Sequence, residues 1–187
     1  MKRLWIILIL FVGAVVAWGS YATLNYTEQG GARQVIGGQL DIVSGGELDV
    51  ESGGALKLKG TAVPSTLSFA AAAGGANVCE VTISVKDNAG NVLAGNWPLI
   101  VWLSDDAGGE GLTSTTASGT VQAKSNEGAD LTALTAKKHL TCVCKDAGTY
   151  VLEITDSAKT GFYVSAAICG GLAHGVSAQV QTADYGS

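Results

Sequence analysis

Along this chain the apolar positions change their spacing, and each spacing predicts a different element. Leu4 to Trp18 is a continuous apolar run behind Lys2 and Arg3, and no charged residue follows before Glu28. Its length lies between a signal-peptide core and the ~20 residues of a spanning helix. Small residues over Ala17–Ala22 offer a cleavage site, while Trp5 and Trp18 stand where interfacial aromatics anchor a helix. A hydrophobic signal or anchor segment over 1–24 is expected, a helix that meets a membrane through residues 4–24. Burial of the same run inside an assembly is the alternative.

The spacing then becomes strict. Gly-Gly pairs begin at Gly37, Gly45 and Gly53, and each is followed by two aliphatics two residues apart: Leu40/Ile42, Leu48/Val50 and Leu56/Leu58. That spacing puts both side chains on one face of a short strand, with Asp41, Asp49 and Lys57 on the other. The glycine pairs permit the positive φ values of a turn after each strand. So narrow a ladder cannot cover its own apolar edge. Leu40, Ile42, Leu48, Val50, Leu56 and Leu58 are therefore the expected oligomer interface of a stalk over 25–63, a homotrimer being favoured. A flexible glycine-rich linker would have no reason to keep this register.

Thr61-Ala62-Val63-Pro64 breaks the repeat, and the alanine-rich stretch behind it reads as a linker over 64–76. Beyond it the pattern is that of strands. Val81, Ile83 and Val85 alternate with Glu80, Thr82 and Ser84, as in a half-buried strand. Asp87-Asn88-Ala89-Gly90 has turn chemistry. Leu99 to Leu103 is continuously apolar, which suits a central strand covered on both sides, with Trp102 in the core and Trp97 exposed. Further strands are expected at Gly119–Ala123, His139–Cys144, Thr149–Asp156, Gly161–Cys169 and Val176–Thr182, and a hairpin at Lys145–Gly148. The only helical hint is a turn or two at Asp130–Lys138. The fold class is thus all-β: an immunoglobulin-like β-sandwich over 77–187 behind the stalk and the N-terminal hydrophobic helix.

Composition narrows the function. Charged residues are only 14% of the chain and the net charge is −5, so no nucleic-acid partner is expected. Two His leave little for acid–base chemistry. His139-x-x-Cys142-x-Cys144, with Cys169 and His174 later, matches no standard zinc spacing. Cys79, Cys142, Cys144 and Cys169 are candidates for a disulfide in an oxidising compartment, and equally for buried thiols. Asp105, Asp106 and Glu110 lack the alternating oxygens of a calcium loop. Ser104 and Ser165 have no base near them in sequence. No catalytic residue, metal site or cofactor is expected, and the protein is not expected to be an enzyme.

Several stretches carry a resemblance. Gln29-Gly30-Gly31-Ala32-Arg33-Gln34-Val35-Ile36, running through the repeats to Thr61-Ala62-Val63, resembles the stalk-forming start of tailed-bacteriophage virion proteins. Val81–Asp87, Val101–Asp105, Leu134–Lys138 and Ile154–Val164 are similar to the β domain of small head-decoration or head-fibre proteins. The resemblance implies a non-enzymatic structural protein on the virion surface, an oligomeric capsid decoration or fibre with a capsid or other virion protein as partner. The apolar N-terminus and the cysteines depart from that pattern and favour a prophage-encoded, membrane-tethered or exported variant. The alternative is a secreted or membrane-anchored bacterial surface adhesin of the cell envelope.

Overall fold

The computed structural model describes residues 61–170 and 173–187, and before them residues 26–27, 34–35 and 57–58. The chain divides into two compact units, 1–49 and 50–187. In the first, β1 (Tyr26–Thr27) pairs antiparallel with β2 (Gln34–Val35). The hydrophobic segment 1–24 and Leu40, Ile42, Leu48, Val50 and Leu56 of the repeats lie outside the described residues. Leu58 belongs to β3 (Lys57–Leu58), which pairs with β4 (Thr61–Ala62), Leu58 opposite Thr61.

The rest of the second unit is all-β. One antiparallel sheet has the order β13-β12-β7-β10-β9: His174–Val176, Tyr163–Ile168, Pro98–Ser104, His139–Val143 and Ala129–Thr135. The other has the order β5-β6-β11-β8: Thr66–Ala73, Val78–Lys86, Thr149–Thr155 and Val121–Ala123. The only helix among the described residues is a single 3-10 turn, Thr182–Asp184.

Alternation explains the layering. In β6 the odd positions Cys79, Val81, Ile83 and Val85 are all fully buried, and the even ones face outward. In β7 Leu99, Val101 and Leu103 point inward while Ile100 and Trp102 do not. These inward rows meet Leu152 and Ile154 of β11 and Val164 of β12 in one buried cluster, the layering of a β-sandwich. Tyr150, fully buried on β11, ties one sheet to the other by donating from Oη to Asp130 Oδ1 of β9 at 2.6 Å.

The turns follow their residues. Gly90 donates its N–H to the Asp87 carbonyl at 3.0 Å with φ +84°, and the Asp87 carboxylate accepts from Asn91 N at 2.9 Å. At Gly148, φ is +76° and a Cβ would collide with the Leu93 carbonyl, so the hairpin Lys145–Gly148 admits only glycine there.

Three expectations need correction. The segment 64–76 is no linker: β5 lies in it, with Leu67 and Phe69 packed against the core and alanines facing Thr82 and Glu80 in register. Alanine carries little strand propensity, so only the pairing with β6 makes these residues a strand. Asp130–Lys138 is β9 followed by a turn, not helix. Two register shifts against β10 break the alternation that would otherwise mark this strand. Finally, the strand expected at Val176–Thr182 is instead His174–Val176, sharing only Val176 with it. The chain beyond it still follows β12 through Ser177 N to Val164 O at 2.8 Å and Val180 N to Phe162 O at 2.9 Å, without regular pairing.

Candidate binding face

The outward side of the five-stranded sheet departs from a polar surface. Trp102 on β7 stands opposite His139 of β10 on one side and Ser165 of β12 on the other. Ile100, two residues before it, stands opposite Thr141 and Ala167, and Ala167 stands opposite His174 of β13. The small Ser165 and Ala167 leave room above the sheet for His174 to reach the indole. The two rings stack with centroids 5.6 Å apart and planes 10° apart. His139 meets the same indole edge-on, at 6.3 Å and 74°.

The loop 105–114 is fastened beside this aromatic group. Asp105 accepts from the Thr113 hydroxyl and, at 2.8 Å each, from Ser114 N and Oγ. These hydrogen bonds, Thr113's first, hold its carboxyl below the usual range. Ser104 Oγ donates to the Glu110 carbonyl at 2.9 Å, and Lys138 Nζ donates to the Thr113 and Ser114 carbonyls at 2.8 and 3.0 Å. Trp102 Nε1 donates to the Gly109 carbonyl at 2.8 Å. Gly109, at φ +76°, lies so close over Ser165 and Val176 that a Cβ would collide with both. Ser165 Oγ beneath it is buried without a hydrogen-bond partner.

Between loop and sheet runs an open groove of about 350 Å³, lined by Ile100, Trp102, Gly109, Gly111, Leu112 and His139. Its walls are apolar apart from the imidazole, which suits an aliphatic or aromatic side chain rather than a charged ligand. A smaller cavity of about 230 Å³ has a mixed lining, Asn96, Asn126, Lys145 and Asp146 beside Ala129, Val143 and Cys144.

The structure separates His139 from the cysteines that follow it in sequence. His139 lies on the outward row of β10 and Cys142 on the inward row, so an odd spacing keeps them on opposite faces. Among the described residues no group of three or more His, Cys, Asp or Glu side chains converges on a metal position. Cys79, Cys142 and Cys144 are buried, Cys169 is exposed, and all four are free thiols. Cys79 and Cys142 sit on different sheets. Burial pushes the Cys79 thiol up to about 12, with Asp184 and Glu80 adding to it, and the Cys144 thiol to about 11. Burial raises Cys142 as well. Thiols so disfavoured as thiolates are poor nucleophiles.

The two tryptophans exchange their expected roles. Trp97 packs against the core and donates from Nε1 to the Leu93 carbonyl at 2.9 Å, whereas Trp102 is half-buried on the outer face. The continuous apolar run at 99–103 did signal a central strand, although its outer side, Ile100 and Trp102, is only half covered. That the outer cover would come from His174, His139 and a glycine-rich loop had no local signal. Compared with known proteins, the chain matches no family model and no curated protein sequence.

Proposed function

We propose that this chain is a non-enzymatic structural protein of a phage or prophage particle, displayed on the capsid as an oligomeric decoration or fibre. On this reading the hydrophobic N-terminal segment anchors or exports the chain. The repeats associate through Leu40, Ile42, Leu48, Val50, Leu56 and Leu58 into a trimeric stalk, and an immunoglobulin-like sandwich is carried outward. The observation that carries the reading is the Gly-Gly register at 37, 45 and 53 with its paired aliphatics, directly ahead of a β domain that has its own core. The resemblance to head-decoration and head-fibre proteins points the same way. Purified particles analysed by mass spectrometry should contain the chain in multiple copies, and its absence under good coverage would reject the reading.

The Trp102 groove favours a second reading, a surface adhesin that uses this face to bind a partner. Fractionation separates the two: an adhesin accumulates in the cell envelope of cells that make no particle.

A further inference from the structure

β5 is an edge of the four-stranded sheet, and among the described residues no strand pairs with its far side. Sheet edges are normally blunted by shortness, a bulge, a proline or a charge. The other edge strands of the sandwich follow that rule: β8 and β13 have three residues each, and β9 carries two register shifts. β5 has none of these devices. Its eight residues, Thr66 to Ala73, are uncharged and pair with β6 without a shift, and Ala70 to Ala73 are all exposed.

Alternation decides which backbone groups are open. Gly74 donates its N–H to the Val78 carbonyl at 2.9 Å, in register with the ladder. The even residues of β5 therefore bond to β6, and Leu67, Phe69, Ala71 and Ala73 turn N–H and C=O to the open edge. The side chains of these odd residues lie on the core side, opposite Val85, Ile83, Val81 and Cys79. Along that row size falls, from Leu67 and Phe69 packed against the core to the exposed Ala71 and Ala73. On the outward side charge changes sign instead. Lys86 stands opposite Thr66 at one end, and at the other Glu80 stands opposite Ala72 and Glu153 opposite Glu80. Lys124 relieves Glu80 at 2.6 Å, whereas Lys86 has no ion pair among the described residues.

From these features we infer that β5 pairs antiparallel with β5 of a second copy, about a twofold axis through Phe69, so that the two four-stranded sheets become continuous. Size and charge select the second copy as occupant. A register that keeps both core faces on one side pairs odd residues with odd ones. Centred on Phe69, it sets Leu67 opposite the second copy's Ala71, large against small, and Phe69 opposite its own equivalent. These are the residues whose backbone groups are open, so each pair exchanges N–H and C=O. The same register sets Thr66 opposite the second copy's Ala72. Lys86 then lies in line with the second copy's Glu80, three strand spacings or about 14 Å away across two small residues, a span that the two extended side chains cover from its ends. The twofold axis forms this pair twice. An unrelated extended segment satisfies the open backbone alone, whereas the graded row and the opposite charges at the ends of β6 match the strand's own antiparallel copy. A net charge of −5 works against any self-contact, and this register offsets it where the strands meet. The contact is isologous, lies outside the repeats and does not rest on the function proposed above.

The test uses the full chain. A copy with photoreactive benzoylphenylalanine in place of Ala72 is co-expressed with an affinity-tagged copy, irradiated, and the tagged chain is recovered, so any cross-link on it to another copy is seen directly. The cross-linked peptide should map to residues 65–68 or to Lys86 of the tagged copy. Ala71→Lys in the tagged copy, which places a charge on the open edge, should lower the yield about tenfold or more with unchanged melting. Lys86→Glu in the tagged copy should lower it about two- to fivefold, the size of an exposed ion pair. Glu80→Lys in the photoreactive copy should restore that loss. The inference is overturned by cross-links confined to one chain or made to another protein. It is equally overturned by cross-links between copies that map elsewhere, the repeats at 37–58 included, by a yield that Ala71→Lys leaves unchanged, or by a Lys86→Glu loss that Glu80→Lys does not restore.

Discussion

On the four-stranded sheet the outward positions hold Glu80, Thr82 and Ser84 of β6, Gln122 of β8 and Glu153 of β11, with Val151 the one aliphatic in that row of β11. The matching positions on the five-stranded sheet hold Ile100, Trp102, His139 and His174. Glu153 stands opposite Glu80, a like-charge pair that Lys124 relieves with Nζ 2.6 Å from Glu80 Oε2. Such a face is complete in water. The other face had to be covered, and its own chain covers only part of it: a loop tied by Asp105 and Lys138, and an imidazole stacked on an indole. Two sheets can share one core and still differ in how much of their outer surface the chain itself must cover.

The largest effects should come from what the sheets share. Leu152→Ala and Leu99→Ala, one on the inner row of each sheet, should each cost about 2–5 kcal/mol, since both side chains are fully buried. Chemical denaturation followed by fluorescence and circular dichroism should show one coincident transition for either. Separate transitions for the two sheets would break the idea of a common core.

A smaller effect is expected at Asp156, which closes the four-stranded sheet at the end of β11. Its carboxylate accepts from Ser118 N at 3.1 Å and Thr160 N at 2.9 Å. Burial alone would raise its pKa, but the hydrogen bonds from Thr160 and Ser118 outweigh burial and bring it from 3.8 to about 2. A depressed folded-state pKa stabilises the fold fully above the unfolded value, and the contribution fades as pH falls from about 4 toward 2. Asp156→Ala should therefore cost about 1–3 kcal/mol at neutral pH, because it removes a buried carboxylate that holds the Ser118 and Thr160 N–H groups. The gap between variant and parent should close in melts run down to pH 2. A gap independent of pH would assign the loss to packing instead.

The smallest effect sharpens the contrast between the outer faces. Lys124→Met leaves Glu80 and Glu153 facing each other, and the melting temperature should fall slightly, more at low salt than at high salt. On the other sheet Thr141→Ser, which removes a methyl from an uncharged row, should show no salt dependence.

Much of the fold could be read from local pattern. Val81, Ile83 and Val85 announced β6 because a strand with one wet face must alternate, and Asp87–Gly90 announced its turn because the last position needs positive φ. Where pattern failed, the deciding partner was distant in sequence. Alanines 70–73 become strand only because β6 lies beside them, and Asp130–Thr135, without strand alternation, becomes strand because β10 pairs with it through two register shifts. The same division holds for the candidate face. That Ile100 and Trp102 would need cover on the outer side follows from an apolar run without alternation. That His174, from a strand two places away across the sheet, would stack on Trp102, and that Gly109 would close over Ser165, depends on chain segments brought together by folding. Local sequence determines which positions must avoid water, through strand periodicity and turn stereochemistry. Only the tertiary structure decides which distant residues shield them, because that choice rests on the packing of segments whose order along the chain carries no trace of it.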